Sequence, residues 1–302
     1  SSDGTHLYLE ITDPNGVSTD KITIENAYAN THYQIEELVF ADGSVLTHDQ
    51  LITLIGSVSI FGTEDDDVLN GFDSDEKLYG YDGNDTLNGG AGNNELYGGD
   101  GNDTLSTWAG SSQLYGGNGN DNVTVYEGDN NLLEGGAGDD VLTEDNHITV
   151  GADTLRGGEG NDTLTVGYGS DVLEGGAGDD LLRTQRYTNY FQVLGQKQSN
   201  AHFTGGTGND RLEGWVGSDT YHFSRGDGQD VINDHNYNNA AIGPDRIQFS
   251  DSLSEDLWFS RDMNDLIIDT VGANDQVRIE HWYSSNQYQI EEIEAGGALL
   301  TN

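Results

Sequence analysis

One large apolar side chain recurs every nine residues through the middle of the chain, at Leu69, Leu78, Leu87, Leu96, Leu105, Leu114 and Val123. Polar, glycine-rich stretches fill the intervals. The register then gains one residue before Leu133, continues to Leu142, gains four before Leu155, and resumes through Leu164, Leu173 and Leu182; a longer interruption precedes Leu212 and Tyr221. Nine residues are too few for a helical repeat unit. Alternation around each leucine, as in "DTL" and "DVL", predicts a short strand with one inward side chain. Each repeat is read as a turn plus a strand.

The flanks repeat one another. "DKITIENAYANTHYQIEELVFADGSVLT" at 20–47 aligns with "DQVRIEHWYSSNQYQIEEIEAGGALLT" at 275–301, at an offset of 255 that becomes 254 after one deletion. Alternating pairs such as Ile22/Ile24 and Val277/Ile279 predict strands in both copies.

Charge narrows the chemistry. The 302 residues include 54 acidic and 11 basic side chains, a net charge of −43, with 43 glycines, two prolines and no cysteine. Like charges at this density repel in any compact state, because salt screens them only over about 10 Å. An apolar fraction of 33% with such a charge is also a signature of disorder. Composition therefore permits a disordered chain and a chain condensed by cations. Nucleic acid and anionic membrane are poor partners for this surface, since binding them depends on Lys and Arg clusters that are absent here, and metal cations fit far better. Without cysteine there are no disulfides or thiolate metal sites. No stretch is long and apolar enough to cross a membrane as a helix, and "SSDGTHLYLE" has no signal-peptide pattern.

The turns follow the pattern G-G-x-G-x-D-x-U-x. "GGDGNDTLS" at 98, "GGNGNDNVT" at 116, "GGAGDDVLT" at 135, "GGEGNDTLT" at 157, "GGAGDDLLR" at 175 and "GGTGNDRLE" at 205 fit it, and "GYDGNDTLN" at 80 lacks only the second glycine. On these motifs the sequence resembles the RTX (repeats-in-toxin) haemolysin-type calcium-binding repeat family. The resemblance implies an all-β, right-handed parallel β-roll, a β-helix or solenoid with two nonapeptides per coil. It also implies calcium between turns on the same edge of neighbouring coils, held by carbonyls of the first four turn positions and the carboxylate of the sixth. Glycine turns can aim carbonyls at one centre, and calcium accepts about six to eight such oxygens at about 2.3–2.6 Å. Carried onto this chain, the carbonyl positions include Gly98, Asp100, Gly116, Asn118, Gly135, Ala137, Gly157, Glu159, Gly175, Ala177, Gly205 and Thr207. The carboxylates are Asp85, Asp103, Asp121, Asp140, Asp162, Asp180 and Asp210. About six to ten calcium ions are expected.

All seven well-formed turns alternate with poorer ones, so they share one edge. The other edge reads "GFDSDE" at 71, "GGAGNN" at 89, "TWAGSS" at 107, "YEGDNN" at 126, "VGYGSD" at 166 and "GWVGSD" at 214, where only Asp171 and Asp219 keep the sixth-position carboxylate. An ion row on one edge, with few or no ions along most of the other, is the expectation. Trp108, Tyr126, Tyr168 and Trp215 on the poor edge either cover strand ends or contact a ligand. At a tenfold excess of calcium each site contributes about 1.4 kcal/mol, and seven about 10 kcal/mol, comparable to a domain's whole stability. The chain is therefore expected to be disordered at cytosolic calcium and to fold outside the cell.

The resemblance extends to the ends. "YHFSRGDGQDVIND" at 221–234 and "DRIQFSDSLSEDLWFSRDMNDLIIDT" at 245–270 look like the haemolysin-type calcium-binding related segment that closes many RTX rolls, with no counterpart expected upstream of the first copy. The expected organisation is a capping segment over 1–56, the roll over 57–222 with an insertion at 184–204, and a second cap over 223–302, as in a piece of a tandem array. Caps cover open strand edges. Asp227, Asp230, Asp234 and Asp245 are candidate ligands there by the same resemblance. The insertion, which carries Arg186, Lys197, Tyr187, Tyr190 and Phe191, is read as replacing a degenerate half-coil, either packed over the roll or contacting a partner or glycan.

Enzymatic motifs are missing: no H-E-x-x-H, no G-x-S-x-G and no P-loop. His6, His32, His48, His147, His202, His222, His235 and His281 show no metal-ligand spacing. Acidic pairs such as Asp139/Asp140, Asp179/Asp180 and Glu291/Glu292 face opposite sides of a strand, which argues against a glycosidase pair. Asp13–Pro14 reads as a turn. The favoured function is a non-catalytic calcium-binding module that folds outside the cell after type I export, as the RTX resemblance implies, within a large secreted bacterial toxin or adhesin. Its partners would be calcium, neighbouring modules, the secretion machinery in transit, and a glycan or cell surface. Alternatives are the carrier region of a secreted protease, lipase or polysaccharide-modifying enzyme, or a carbohydrate-gripping adhesin module.

Overall fold

The computed structural model describes residues 7–12, 19–24, 37–39, 45–47, 58–145, 151–185, 200–215, 217–235 and 243–301. Asp13–Pro14, His6, His32, His48, His147 and the centre of the insertion, including Arg186, Tyr187, Tyr190, Phe191 and Lys197, lie outside them.

The nine-residue period folds as expected. Each apolar residue sits in a short strand, and successive strands alternate between two 12-stranded sheets. Through the repeats the strands within a sheet are parallel, so each stacks on the one a coil earlier. The described residues contain no α-helix.

One sheet stacks Ile60, Leu78, Leu96, Leu114, Leu133, Leu155, Leu173, Phe203, Tyr221, Ile247 and Ile293 in register. The other stacks Leu69, Leu87, Leu105, Val123, Leu142, Leu164, Leu182, Leu212, Ile232 and Ile279. These side chains are essentially fully buried and form the thin core between the sheets. A core one residue deep per strand buries little apolar surface, and leaves the turns to carry much of the stability.

The parallel ladder runs past residue 222. Gln229–Ile232 pairs with Gln276–Ile279, and Arg246–Phe249 with Glu292–Ala295. The sheets then end in antiparallel strands, Leu257–Asp262 with Asp265–Thr270 on one and Ala298–Thr301 on the other. The change of direction ends the stacking.

The N-terminal copy forms matching hairpins. Leu38↔Leu46 and Val39↔Val45 reproduce Ile293↔Leu300 and Glu294↔Leu299. Leu7–Thr12 pairs with Thr19–Ile24 as Asp265–Thr270 pairs with the strand containing Val277 and Ile279. This corrects the expectation that the first copy lacks an upstream portion: Leu7–Thr12 is the counterpart of Asp265–Thr270.

The insertion is also shorter than expected. Thr184 closes one strand, and His202–Thr207 is a regular strand between Val172–Ala177 and Thr220–Phe223. No half-coil is replaced. Phe203 supplies its core residue, stacked on Tyr221 at 5.0 Å between centroids.

The outer face of the first sheet carries a row that the leucine period does not disclose. Phe61, Tyr79, Tyr97 and Tyr115 stack with centroids 4.9–5.1 Å apart. In the same row Arg156 bridges Glu134 and Glu174 at 2.9 and 2.8 Å. Aromatic stacks and alternating charges each stabilise neighbouring strands by about 0.2–1 kcal/mol per pair.

Candidate metal sites along the turn edges

On the regular edge, each sixth-position aspartate reaches back one coil with one oxygen. The Oδ1 atoms of Asp85, Asp103, Asp121, Asp140, Asp162, Asp180, Asp210 and Asp230 accept from the backbone N–H of Asp67, Asp85, Asp103, Asp121, Asp140, Asp162, Asp180 and Asp210, at 2.7–3.0 Å. The hydrogen bonds make a continuous carboxylate ladder. They use only half of each carboxylate.

The Oδ2 atoms of Asp85, Asp103, Asp121, Asp140, Asp162, Asp180 and Asp210 are buried with no hydrogen-bond partner. A buried polar atom without a partner costs about 1–3 kcal/mol, and more when charged, so a row of seven is not a stable arrangement of anions alone. Burial pushes these carboxyls up, Asp85, Asp162 and Asp210 to about 6 and Asp121, Asp140 and Asp180 to about 7. Asp103 is raised for the same reason.

The first glycine of each turn explains where these oxygens point. A Cβ on Gly116 would lie 2.3 Å from Asp121 Oδ2 and 2.6 Å from the carbonyl oxygen of Gly135 in the next coil. Gly80, Gly98, Gly157 and Gly175 repeat the arrangement with Asp85 and Gly98, Asp103 and Gly116, Asp162 and Gly175, and Asp180 and Gly205. A carboxylate oxygen and a neighbouring coil's carbonyl thus share one small space. Hard-oxygen donors converging beside glycine fit calcium.

Other turn positions serve the stacking. The third-position carbonyls of Asp100, Asn118, Ala137, Glu159, Ala177 and Thr207 accept from the fourth-position glycine N–H of the preceding coil, at 2.7–2.9 Å. Gly117 has φ +120, and a Cβ there would come 2.1 Å from Gly99 O. At the fifth position a second ladder runs the opposite way: Oδ1 of Asp66, Asn84, Asn102, Asn120, Asp139, Asn161 and Asp179 accepts from the next coil's N–H at 2.6–3.0 Å. Sequence reading missed this role, whose signal is Asn or Asp at every fifth position.

The other edge divides in two. In its first half the sixth positions are Glu76, Asn94, Ser112 and Asn131, linked by the same backbone bonds at 2.8–3.1 Å. Here Asn94 Nδ2 donates to Ala91 O, and Ser112 Oγ to Gly92 O. Beside Gly89, Asn94 Nδ2 occupies the place that Asp Oδ2 takes on the regular edge. Amide and hydroxyl donors stand in for a cation.

In the second half carboxylates return. Asp153 Oδ1 accepts from Asn131 N, and Asp171 Oδ1 from Asp153 N, at 2.6 and 2.9 Å. Asp171 Oδ2 is buried without a partner and lies near Gly169 together with Gly151 O. Asp219 receives Ala201 N at 2.8 Å, and Asp245 receives Asp219 N at 2.9 Å. The expectation that only Asp171 and Asp219 keep this carboxylate is therefore corrected. Glu76 and Asp153 also occupy the position, Asp153 hidden by the four added residues, while Glu76 spends its oxygens on Phe72 N and Ser74 Oγ.

Of the cap candidates, Asp230 ends the regular ladder and is pushed up to about 7 by burial. Asp227 offers its carbonyl to Gly208 N and its carboxylate to Ser224 N. Asp234 accepts from the Tyr221 hydroxyl at 2.7 Å, and burial raises it and Asp219 well above the usual carboxylate range. The edge aromatics separate: Trp108 and Tyr126 are exposed but stack on each other at 5.0 Å, Tyr168 is buried, and Trp215 sits edge-on to His235.

Comparison with known proteins agrees with this geometry. The chain matches the RTX calcium-binding nonapeptide repeat (4 copies) over residues 57–87, 70–105, 79–114, 109–132, 125–143, 147–182 and 199–233. It matches the haemolysin-type calcium binding protein related domain at residues 6–50 and 265–300. No curated protein matches. Among solved structures it is similar to the crystal structure of extracellular lipase LipA from Serratia marcescens, at 17% identity and a TM-score of 0.28, over 74% of this chain and only 37% of that one. The nonapeptide matches span more than half of the chain, which belongs to the RTX family of haemolysin-type calcium-binding repeat proteins.

Proposed function

We propose that the chain is a non-catalytic calcium-binding β-roll module of a large secreted bacterial protein, a toxin or adhesin. It passes through type I secretion disordered and folds on meeting calcium outside the cell. The single observation that carries this reading is the row of seven buried, partnerless Oδ2 atoms, each beside a first-position glycine. Asp85, Asp103, Asp121, Asp140, Asp162, Asp180 and Asp210 supply the carboxylates of this row, with turn carbonyls completing each shell. Asp171 and Asp219 serve the second half of the other edge. The segments 1–56 and 223–302 act as caps to the roll and meet neighbouring modules.

The physical basis is charge. At −43 the chain repels itself, and each divalent ion held between coils cancels two charges while it satisfies the oxygens that folding buries. Removing calcium leaves those oxygens buried and charged, and the coil opens. Far-UV circular dichroism of the whole chain tests this: weak strand signal in EGTA and full signal in millimolar calcium are expected. Full strand content in EGTA overturns the reading.

A further inference from the structure

We propose that Trp108 and Tyr126, on the neutral stretch of the irregular edge, form a stacking platform for a neutral polysaccharide, with a sugar ring lying on the open face of Trp108 above Gly90. At this second turn position the regular edge carries glycines with positive φ, +122 at Gly99 and +120 at Gly117. Here two successive coils replace the glycine with a large aromatic residue, outside the positive-φ region. Neither side chain enters the core. Trp108 is 58% exposed and Tyr126 38%, so the pair contributes little to folding by burial. Large apolar groups left together in water mark a contact surface.

The stacking leaves one indole face free. Tyr126 covers the other, with ring centroids 5.0 Å apart and planes inclined at 27°. On the free side the neighbouring coil carries Gly90, whose carbonyl accepts from Trp108 N at 2.8 Å and which has no side chain to lay against the ring. The space cannot be filled from below: Gly90 has φ +73, and a Cβ there would fall 2.1 Å from Phe72 O. One coil further, Phe72 packs against the core. The result is a slot one side chain wide, with indole as its wall and glycine backbone as its floor.

Sugars have the matching chemistry. A pyranose presents polarised C–H groups on its ring face and hydroxyls around its rim, and the negative face of an indole attracts the former. The hydroxyls meet Asn93, Ser111 and Asn130, which stand exposed in a row, one per coil. That row is held in place, since Ser111 N donates to Asn93 Oδ1 at 2.9 Å and Ser111 Oγ to Asn130 O at 2.8 Å. Charge selects among glycans. The turns GGAGNN at 89 and TWAGSS at 107 contain no charged residue in a chain of net charge −43, and Asp73, Asp75, Glu127 and Asp129 bound them on either side. A uronate or sulfated polymer is repelled there, and a neutral one is not. Asn94 and Ser112 already donate to the turn carbonyls, so the slot needs no ion of its own.

Titration calorimetry of the whole chain in millimolar calcium tests the site, with cellohexaose, laminarihexaose, chitohexaose and maltohexaose as neutral probes and hexaguluronate as the anionic one. At least one neutral hexasaccharide is expected to bind and to shift tryptophan emission, while hexaguluronate does not bind. Trp108→Ala should weaken that binding tenfold or more with its strand signal in calcium unchanged. Trp258→Ala, which removes another exposed indole far from these turns, should leave it as in the wild type. Binding of no neutral probe overturns the proposal, as does binding that survives Trp108→Ala. Tighter binding of hexaguluronate through Trp108 overturns the choice of a neutral ligand. If Trp108→Ala does not fold in calcium, Trp108→Phe decides: a several-fold loss of affinity is expected from the smaller ring, and no loss overturns the site. The calcium reading is judged separately, by the strand signal in EGTA.

Discussion

Asp162→Asn is expected to act in opposite directions with and without calcium. The wild-type Oδ1 accepts from Asp140 N at 2.8 Å, a bond that the asparagine carbonyl preserves. Its Oδ2, buried without a partner beside Gly157 and Gly175 O, becomes an NH₂ group. That group donates where a cation would sit. With calcium at ten times the dissociation constant the variant loses one site, about 1.4 kcal/mol by mass action. For a domain of 150–250 residues this corresponds to a fall in melting temperature of about 3–6 °C. In EGTA the same change removes a buried charge whose burial without a partner costs about 1–3 kcal/mol or more, and the ion-free chain gains strand content. Asp179→Asn is the control, because Asp179 lies on the exposed fifth-position ladder and its bond to Asn209 N survives. Thermal melts and calcium titrations of the three proteins measure both effects. If Asp162→Asn lowers stability equally in calcium and EGTA, the residue is a structural hydrogen-bonder and the ligand assignment is wrong.

Three further outcomes follow from the same geometry. Gly117→Ala places a methyl 2.1 Å from Gly99 O at φ +120, and should raise the calcium concentration needed for half-folding, read by circular dichroism, while Asn118→Ala, which keeps the carbonyl, changes it little. Acid should favour the ion-free roll: carboxyls raised to about 6–7 contribute their stability below the unfolded value near 4, and lose it as pH rises through 6–7. Strand signal in EGTA is therefore expected to grow from pH 8 to pH 5, while the calcium midpoint rises as protons compete. Leu133→Ala, at a fully buried position between Leu114 and Leu155, should cost about 2–5 kcal/mol in urea unfolding at saturating calcium.

The architecture was legible because one apolar residue per nonapeptide is a strong signal, and Leu69 to Leu182 take the places that their spacing assigns. Legibility failed where the count broke. Phe203 lies beyond twelve extra residues, visible in the 30-residue step from Asp180 to Asp210, and reads as part of a loop until Leu173 pairs with it. Asp153 was lost in the same way behind the four-residue step. The regular row of carboxylates was readable from its motif. The neutral positions of the other edge were not, since Asn94 and Ser112 look like decayed ligands until their donors are seen bonding turn carbonyls. Asp234 was readable as a cap candidate from the resemblance, but its place beside Asp219 and Asp245 was not, because stacking alone brings the three together.

Anomalous diffraction from crystals of the whole chain grown in saturating calcium tests the central claim most directly. The account predicts a row of ion peaks beside Oδ2 of Asp85, Asp103, Asp121, Asp140, Asp162, Asp180 and Asp210, with none beside Asn94 and Ser112. A well-ordered roll whose regular edge shows no peaks would contradict it.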